Sequence, residues 1–504
     1  MPARPQLRMS RRAALWALVV LCRPPALPAE CPLRVEFSSL DHYLRAEIEI
    51  NAIPGLSVAA VGCGEILFTR AYGVRSLATG EAMQPETLVD LASVSKPLTA
   101  LAVLQLHEAG GLDLDSPVQT YLPEFHLQDA AAGRPITVRH LLLQTSGLTR
   151  RADPLVPCCG KPGESDLPLA VRRLAGARLN RPVGLSFQYA NSNYVLPAAI
   201  VERVSGVSFP AYMESRVFAP LGMTRTTLDA AKAESWGMAA YHEQQWGRIR
   251  PSSSKAAGWP GASQVKSNVK DMARYAMAML QGGGNRFGSV IIPAALRESH
   301  QGSPYGLGWF VVPRSAFLNG ARVLEHSGDI WGANAAVALA PERQLGVVIL
   351  INAGVSRAGA IARGVLARLA GLPGPPPARR NWAESPDYWA ICFVFVAGAI
   401  FCGLAVQLWR ARIQFRLGQR RFELRNRGLA VARTGLLLGM SVYLLYTVVL
   451  RSFPLAITPP ATLKVSLEIL GPVVALLLAT AGILGLAPLQ QTASSGRPRA
   501  ERRA

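Results

Sequence analysis

The chain has 504 residues, half of them hydrophobic and 17% charged, with a formal net charge of +21. That length admits two or three domains, or one large domain with membrane segments, and the low charged fraction favours the second arrangement. The positive charge would suit a nucleic-acid binder, but residues 1–29, 410–427, 428–487 and 488–504 carry +5, +6, +2 and +3. The excess flanks apolar segments as the positive-inside rule requires, so nucleic acid is not an expected partner.

In chain order, Arg4, Arg8, Arg11 and Arg12 precede an apolar run, Ala13 to Cys22, and then "RPPALPA". This reads as a signal peptide over 1–29 with small Ala29 before the cleavage point, the run being short for a bilayer span. Residues 30–370 show mixed patterns. "LSVAAVGCGEILFTRAYGV" alternates and turns at "GCGE" like a β-hairpin, "ALAVLQLHEAGG" is helical and ends at Gly110-Gly111, and "AAVALAPERQLGVVILIN" reads as two strands. Strands at both ends with helices between them predict an α+β domain whose sheet unites the termini. Four cysteines, Cys31, Cys63, Cys158 and Cys159, fall in this exported part and allow three pairings. No spacing suggests a metal site, and no cofactor is expected.

"GLPGPPPARRNW" opens a Pro/Gly linker over 371–387. Three apolar segments follow within 388–487, Tyr388–Trp409, Leu429–Leu450 and Val465–Leu486, each long enough to cross a bilayer. The loop "RARIQFRLGQRRFELRNR" and the tail over 488–504 are basic, whereas the loop "RSFPLAITPPATLK" is not. The basic parts are therefore cytoplasmic, which puts residues 30–386 outside, in agreement with the signal peptide. The expected location is a bacterial inner membrane, multi-pass, with the domain in the periplasm. The lipid bilayer is then a partner, and a homodimer through the membrane helices is an open arrangement.

Four S-x-x-K matches occur: Ser93/Lys96, Ser252/Lys255, Ser263/Lys266 and Ser267/Lys270. On a helix this spacing puts both side chains on one face, where a lysine of lowered pKa can take the serine proton. Ser93 and Lys96 open "LVDLASVSKPLTALAVLQL", whose helix is apolar nearly all round and therefore buried, a setting that lowers a lysine pKa. Lys255 lies in a polar loop. Lys266 and Lys270 read as solvated first-turn residues of an amphipathic helix, with Ser267 as its N-cap. Two further stretches carry chemistry. In "FQYANSNYVLPAAIVE", Tyr189 can shuttle a proton and the Asn191 amide can hold a substrate carbonyl and the lysine. In "LEHSGDIWGANAAVALAPE", Gly328 after His326 and Ser327 lets a substrate approach the backbone, and the N–H groups beyond can face an oxyanion.

Taken together in this order, S-x-x-K, Y-x-N and H-S-G resemble the penicillin-recognising serine hydrolases, most closely class C β-lactamases and their esterase and D-amino-acid peptidase relatives. "IPGLSVAAV", "ITVRHLLLQTSGL", "VFAPLGMTRT", "YGLGWF" and "LGVVILINA" are similar to scaffold segments of that family. The resemblance implies a β-lactamase/DD-peptidase-like fold, an antiparallel sheet flanked by helices plus an all-helical part. It implies Ser93 as the acylated nucleophile, Lys96 with Tyr189 as the proton-handling pair, and Asn191 as a substrate anchor. His326 would replace the positive group on the substrate-facing strand, and the N–H groups of Ser93 and Asp329 would form the oxyanion hole. Gln144 stands where relatives usually have His, and H-S-G replaces K-T-G, which disfavours a β-lactamase. The signal, the domain and the three spans together resemble periplasmic prodrug-activating peptidases that remove an N-acyl-D-asparagine cap from nonribosomal peptides. Asp90 and Asn334 then sit where such enzymes place polar residues near the substrate side chain. The expected substrate is a small peptide or N-acyl peptide cleaved beside a D-residue; a β-lactamase, a DD-carboxypeptidase or an esterase are alternatives. A non-catalytic sensor would need no Lys96, and a transporter would need more spans or an oligomer.

Overall fold

The computed structural model describes residues 37–127, 134–156, 167–245, 248–252, 258–291, 293–301 and 304–379, with isolated positions between 395 and 417. The expected signal peptide and the three apolar segments lie outside the described residues, apart from isolated positions of the first segment. Among the described residues, no helix is long and apolar enough to cross a membrane.

Helix α1 (Phe37–Ile50) leads into the hairpin of β1 (Gly55–Gly62) and β2 (Glu65–Gly73). Its turn places Cys63 and Gly64 at φ 51° and 82°, the left-handed pair that a tight two-residue hairpin needs. Cys63 is disulfide-bonded, and every other cysteine lies outside the described residues. Helices α2 (Ser95–Glu108), α3 (Ser192–Ser205) and α4 (Val269–Leu280) belong to the middle of the chain. Then β3 (Phe310–Val312), β4 (Val323–Ile330), β5 (Ala333–Ala340), β6 (Leu345–Ile351) and helix α5 (Ala358–Leu369) complete the domain. The six strands form one antiparallel sheet in the order β2-β1-β6-β5-β4-β3, so the first and last parts of the chain meet at the β1–β6 pair.

The strands β1, β5 and β6 are buried along their whole length, because both faces of the sheet are covered. Alternation still sorts their side chains. Val58, Ala60, Ile349 and Ala336 face α1 and α5, whereas Ala59, Val61, Val348 and Val337 face α4 and the helical part. One buried ion pair ties the first face together: Glu47 of α1, fully buried, receives Arg357 at 2.8 Å. The linker docks on the same group. Ala378 donates its N–H to Glu47 Oε1 at 3.3 Å, and Asn51 donates to Ala378 O at 3.1 Å. The start of the expected linker, Gly371–Arg379, is therefore held against the domain.

Candidate active site

The nucleophile stands on a turn that the surroundings force. Ser93 lies in the 3-10 turn Ala92–Val94, directly before α2, and Ala92 is held at φ 46°. A non-glycine residue there is strained and persists only when its neighbours over-determine it. They do. Asp90 Oδ1 accepts the Ala92 N–H at 2.8 Å, and Leu91 N–H reaches Val265 O at 2.9 Å. Val89–Asp90 pairs with Lys266–Ser267, and Ser95 Oγ, the other serine of the motif, accepts from Val265 N–H.

Lys96 is fully buried and touches three acceptors: Ser93 Oγ at 2.9 Å, Asn191 Oδ1 at 2.8 Å and Ala262 O at 3.0 Å. Burial, helped by Arg150 and opposed by Asp153, pushes its pKa down to about 7. As an amine it can donate to Asn191 and Ala262 and turn its lone pair to the Ser93 hydroxyl. Tyr189 lies against Lys96, whose Nζ is 4.8 Å from the ring centroid; burial pushes the phenol up, with Ser93 and Arg150 opposing, so it stays protonated at neutral pH. The structure thus brings Ser93, Lys96, Tyr189 and Asn191 together as the sequence predicts.

The facing wall is the edge of β4. Strand β3 pairs only with Val323–Glu325. Because Val311 N–H points away to Pro304 O, Val323 and Glu325 are the residues that bond β3. Alternation then aims the N–H groups of Ser327 and Asp329 past the end of β3, toward Ser93. Gly328 makes this approach possible: a Cβ there would lie 2.2 Å from Leu91 O and 2.7 Å from Ser93 N. Of the two N–H groups expected to form the oxyanion hole, that of Asp329 belongs to this strand and that of Ser93 to the turn packed against it. Ser327 and Asp329 are exposed there, with the Asp329 carboxylate accepting from the Ser356 hydroxyl.

Five expectations need correction. His326 is not the positive group of the strand. It is buried, its Nδ1–H donates to Ser327 O at 2.9 Å, its Nε2 accepts from Tyr305 OH at 3.0 Å, and burial with nearby Lys96 pushes its pKa down to about 3. It is a neutral spacer among Tyr305, Phe310 and Tyr189. Asp90 does not face a substrate side chain: it is fully buried, and Tyr241 OH at 3.1 Å and the Lys266 ammonium at 3.6 Å occupy its other oxygen. Burial pushes this carboxyl up, while Lys266, Ala92 N–H and Tyr241 favour the ionised form. Asn334 is likewise consumed by the scaffold. Its Nδ2 donates to Gly328 O at 2.7 Å and its Oδ1 caps the start of α5 through the N–H groups of Arg357 and Ala358. Last, Lys266 is no solvated residue but the buried partner of Asp90, and the N-cap of α4 is Asn268, not Ser267. Lys270 does lie at the surface, paired with Glu86, and Lys255 lies outside the described residues.

Two contributors, Asp153 and Gln144, act through contacts that the sequence does not disclose. Buried Asp153 accepts from Asn191 N–H, Asn191 Nδ2 and Ser192 N–H at 2.9–3.2 Å, which fixes the start of α3 and leaves one Asn191 amide hydrogen for a substrate. Gln144 Oε1 accepts from Ala190 N–H and Asn193 Nδ2 at 3.0 and 2.7 Å, so it clamps the loop that carries Tyr189. Among the described residues, no cluster of His, Cys, Asp and Glu could hold a metal ion.

Comparison with known proteins agrees with this geometry. The Beta-lactamase family matches residues 40–372. Protein flp of Staphylococcus aureus (strain MW2) is 25% identical over 324 residues, 62% of each chain, so the chain spans about 62% of the length of such curated relatives. The esterase EstB of Burkholderia gladioli is 38% identical over 192 residues, 36% of this chain and 48% of its own. Among solved structures, the octameric penicillin-binding protein homologue from Pyrococcus abyssi superposes with a TM-score of 0.58 at 26% identity, covering 68% of this chain and 79% of its own. EstCE1, a hydrolase with promiscuous acyltransferase activity, gives 0.57 over 67% and 98%, and at 22% identity shows the fold alone. Since the family match takes in both the nucleophile turn and the strand edge that faces it, the chain belongs to the Beta-lactamase family, with a domain of the serine hydrolase type.

Proposed function

We propose that the protein is an exported, membrane-anchored serine hydrolase that cleaves an ester or amide through an acyl-enzyme on Ser93. The observation that carries this is the contact of buried Lys96 with Ser93 Oγ at 2.9 Å, with the Tyr189 ring 4.8 Å from the same Nζ. Lys96, as the free amine, takes the Ser93 proton while Oγ forms a bond to the substrate carbonyl carbon. The Ser93 and Asp329 N–H groups receive the oxyanion, a contribution worth about 10²–10³ in rate per donor. On collapse the leaving group takes a proton from Tyr189, which Lys96 replenishes. Water then repeats the sequence to release the acid and free Ser93.

Export is supported by the bonded Cys63, since disulfides persist in oxidising compartments, and by the basic N-terminus. Anchoring rests on the three apolar segments and their charge asymmetry. Neutral His326 supports open-chain esters and amides as substrates over β-lactams, because β4 carries no lysine or arginine. Removal of an N-acyl-D-asparagine cap is the more specific reading that the membrane architecture favours, although Asp90 and Asn334 lend it nothing. Full-length protein in detergent, mixed with p-nitrophenyl esters and with N-acyl-D- and L-asparaginyl amides, tests both readings. A burst of nitrophenol equal to the enzyme concentration and absent in Ser93→Ala is expected; no burst and no amide cleavage would refute the hydrolase. Equal turnover of the D- and L-amides would refute the D-residue reading.

A further inference from the structure

The charge of the domain is unevenly spread. Residues 128–185 hold nine Lys and Arg against four Asp and Glu, whereas the rest of residues 30–409 balances. Packing gathers the excess on one surface of the helical part. The helix Leu167–Leu174 buries Leu167, Ala170, Val171 and Leu174 and leaves Arg172 and Arg173 exposed. The chain then passes exposed Arg178 and Arg181 and runs beside an earlier loop. Asn180 N–H donates to Gly147 O at 3.1 Å, and Gly184 N–H donates to Thr145 O at 2.7 Å. Gly147 lets the two loops touch, since a Cβ there would lie 2.3 Å from Arg181 O. The earlier loop carries exposed Arg150 and Arg151, and exposed Arg134 joins them by donating to Val183 O at 3.0 Å. None of these arginines has an ion-pair partner among the described residues. The one acid within 134–156 and 167–185, Asp153, is buried. Leu185, in the same loop as Arg181, is 67% exposed.

Like charges held together repel, and an anionic partner relieves that repulsion. Guanidinium forks match phosphate oxygens, and an exposed leucine among them suits a headgroup boundary. The tether is placed to bring such a surface to a bilayer. Asp329 pairs with Asn334, Asn334 with Ile351 and Ile351 with Leu56, so the site edge and the entry to β1 share one end of the sheet. Asn51, just before that entry, holds Ala378 of the linker. Arg150, its Cζ 5.3 Å from the Tyr189 ring, borders the site at this end too. From Arg379 to the first apolar segment run eight residues, 380–387, which span at most about 28 Å. We propose that the arginine surface of the helical part docks on the anionic phospholipid headgroups of the bilayer that holds the chain. The domain then lies on the membrane instead of swinging on its tether. This rests on the exported, anchored reading above, which supplies the bilayer and removes nucleic acid as the polyanion.

The test places full-length protein in nanodiscs of phosphatidylcholine, with or without phosphatidylglycerol, and follows amide hydrogen exchange in peptides covering 145–151 and 172–185. Phosphatidylglycerol should slow exchange there by about fivefold or more, and salt at about 1 M should reverse this. A variant combining Arg172→Glu, Arg173→Glu, Arg178→Glu and Arg181→Glu should exchange alike in both discs, with its melting midpoint in detergent reporting that it folds. Should it not fold, Arg178→Glu and Arg181→Glu taken singly should each lose part of the protection. Equal exchange of the wild type in both discs, or protection that the charge reversals leave intact, overturns the proposal while anchoring stands. Protection by heparin in detergent with none from phosphatidylglycerol assigns the surface to another polyanion and also overturns it. If the protein does not enter nanodiscs, the anchoring reading falls, and sedimentation with vesicles of the same two compositions decides. Binding to the anionic vesicles alone, lost on charge reversal, then sustains the surface, and no binding overturns it.

Discussion

Truncating Asp90 separates a substrate-binding role from a structural one. In Asp90→Ala the Lys266 ammonium, on a side chain 4% exposed, keeps a single acceptor, Gln264 O at 2.8 Å. Tyr241 OH and Ala92 N–H lose their acceptor as well. Breaking a buried pair by removing one partner costs about 3–5 kcal/mol. At about 2 °C per kcal/mol for a domain of this size, the melting midpoint should fall by roughly 6–10 °C. The kinetic effect follows from Ala92: at φ 46° it stores about 1–3 kcal/mol of strain, which the Asp90 bond opposes. Release of that strain moves Ser93, and a misplacement of about 1 Å costs about 10² in rate. Thermal unfolding followed by tryptophan fluorescence, alongside the rate of fluorophosphonate labelling, measures both. Asp90→Asn, which keeps the acceptor for Ala92, should lose less of each, and adding Lys266→Met should recover part of the stability. An unchanged midpoint in Asp90→Ala with an altered preference among substrates would refute this reasoning and return Asp90 to the substrate.

Acylation should depend on a group titrating at about 7: Lys96 must shed its proton to act, so kcat/KM should rise about tenfold per unit of pH below that point and level off above it. A pH profile flat from 5 to 8 would remove Lys96 as the base. Gly328→Ala places a methyl group 2.2 Å from Leu91 O and 2.7 Å from Ser93 N; labelling of Ser93 should fall by about 10² or more, as for loss of an oxyanion donor. Gln144→Ala removes the acceptor shared by Ala190 N–H and Asn193 Nδ2. It should cost about 1–3 kcal/mol, read as a lower melting midpoint, and slow the reaction through Tyr189.

The core of the site is legible in the sequence because its chemistry is local. Ser93 and Lys96 are three residues apart on one face, and the apolar run of α2 announces the burial that lowers the lysine. The hairpin turn at Cys63-Gly64 and the strands β5 and β6 also follow from local pattern. What is not legible comes from distant packing. Lys266 looks like a surface residue until the pairing of Val89–Asp90 with Lys266–Ser267 buries it, so a rejected S-x-x-K match turns out to clamp the true one. His326 carries the sequence of a cationic strand, but burial in the packed site, with Lys96 nearby, keeps it neutral. Asp153 and Gln144 act on a loop some forty residues away, a relation no spacing encodes.

The central claim is a covalent intermediate on Ser93 formed with Lys96 as base. Intact-mass spectrometry of the full-length protein after a short exposure to a fluorophosphonate, followed by peptide mapping, tests it directly. The account predicts one adduct per chain, on Ser93, absent in Ser93→Ala and slowed by orders of magnitude in Lys96→Ala. An adduct on another serine, or labelling that Lys96→Ala leaves at full rate, would contradict it.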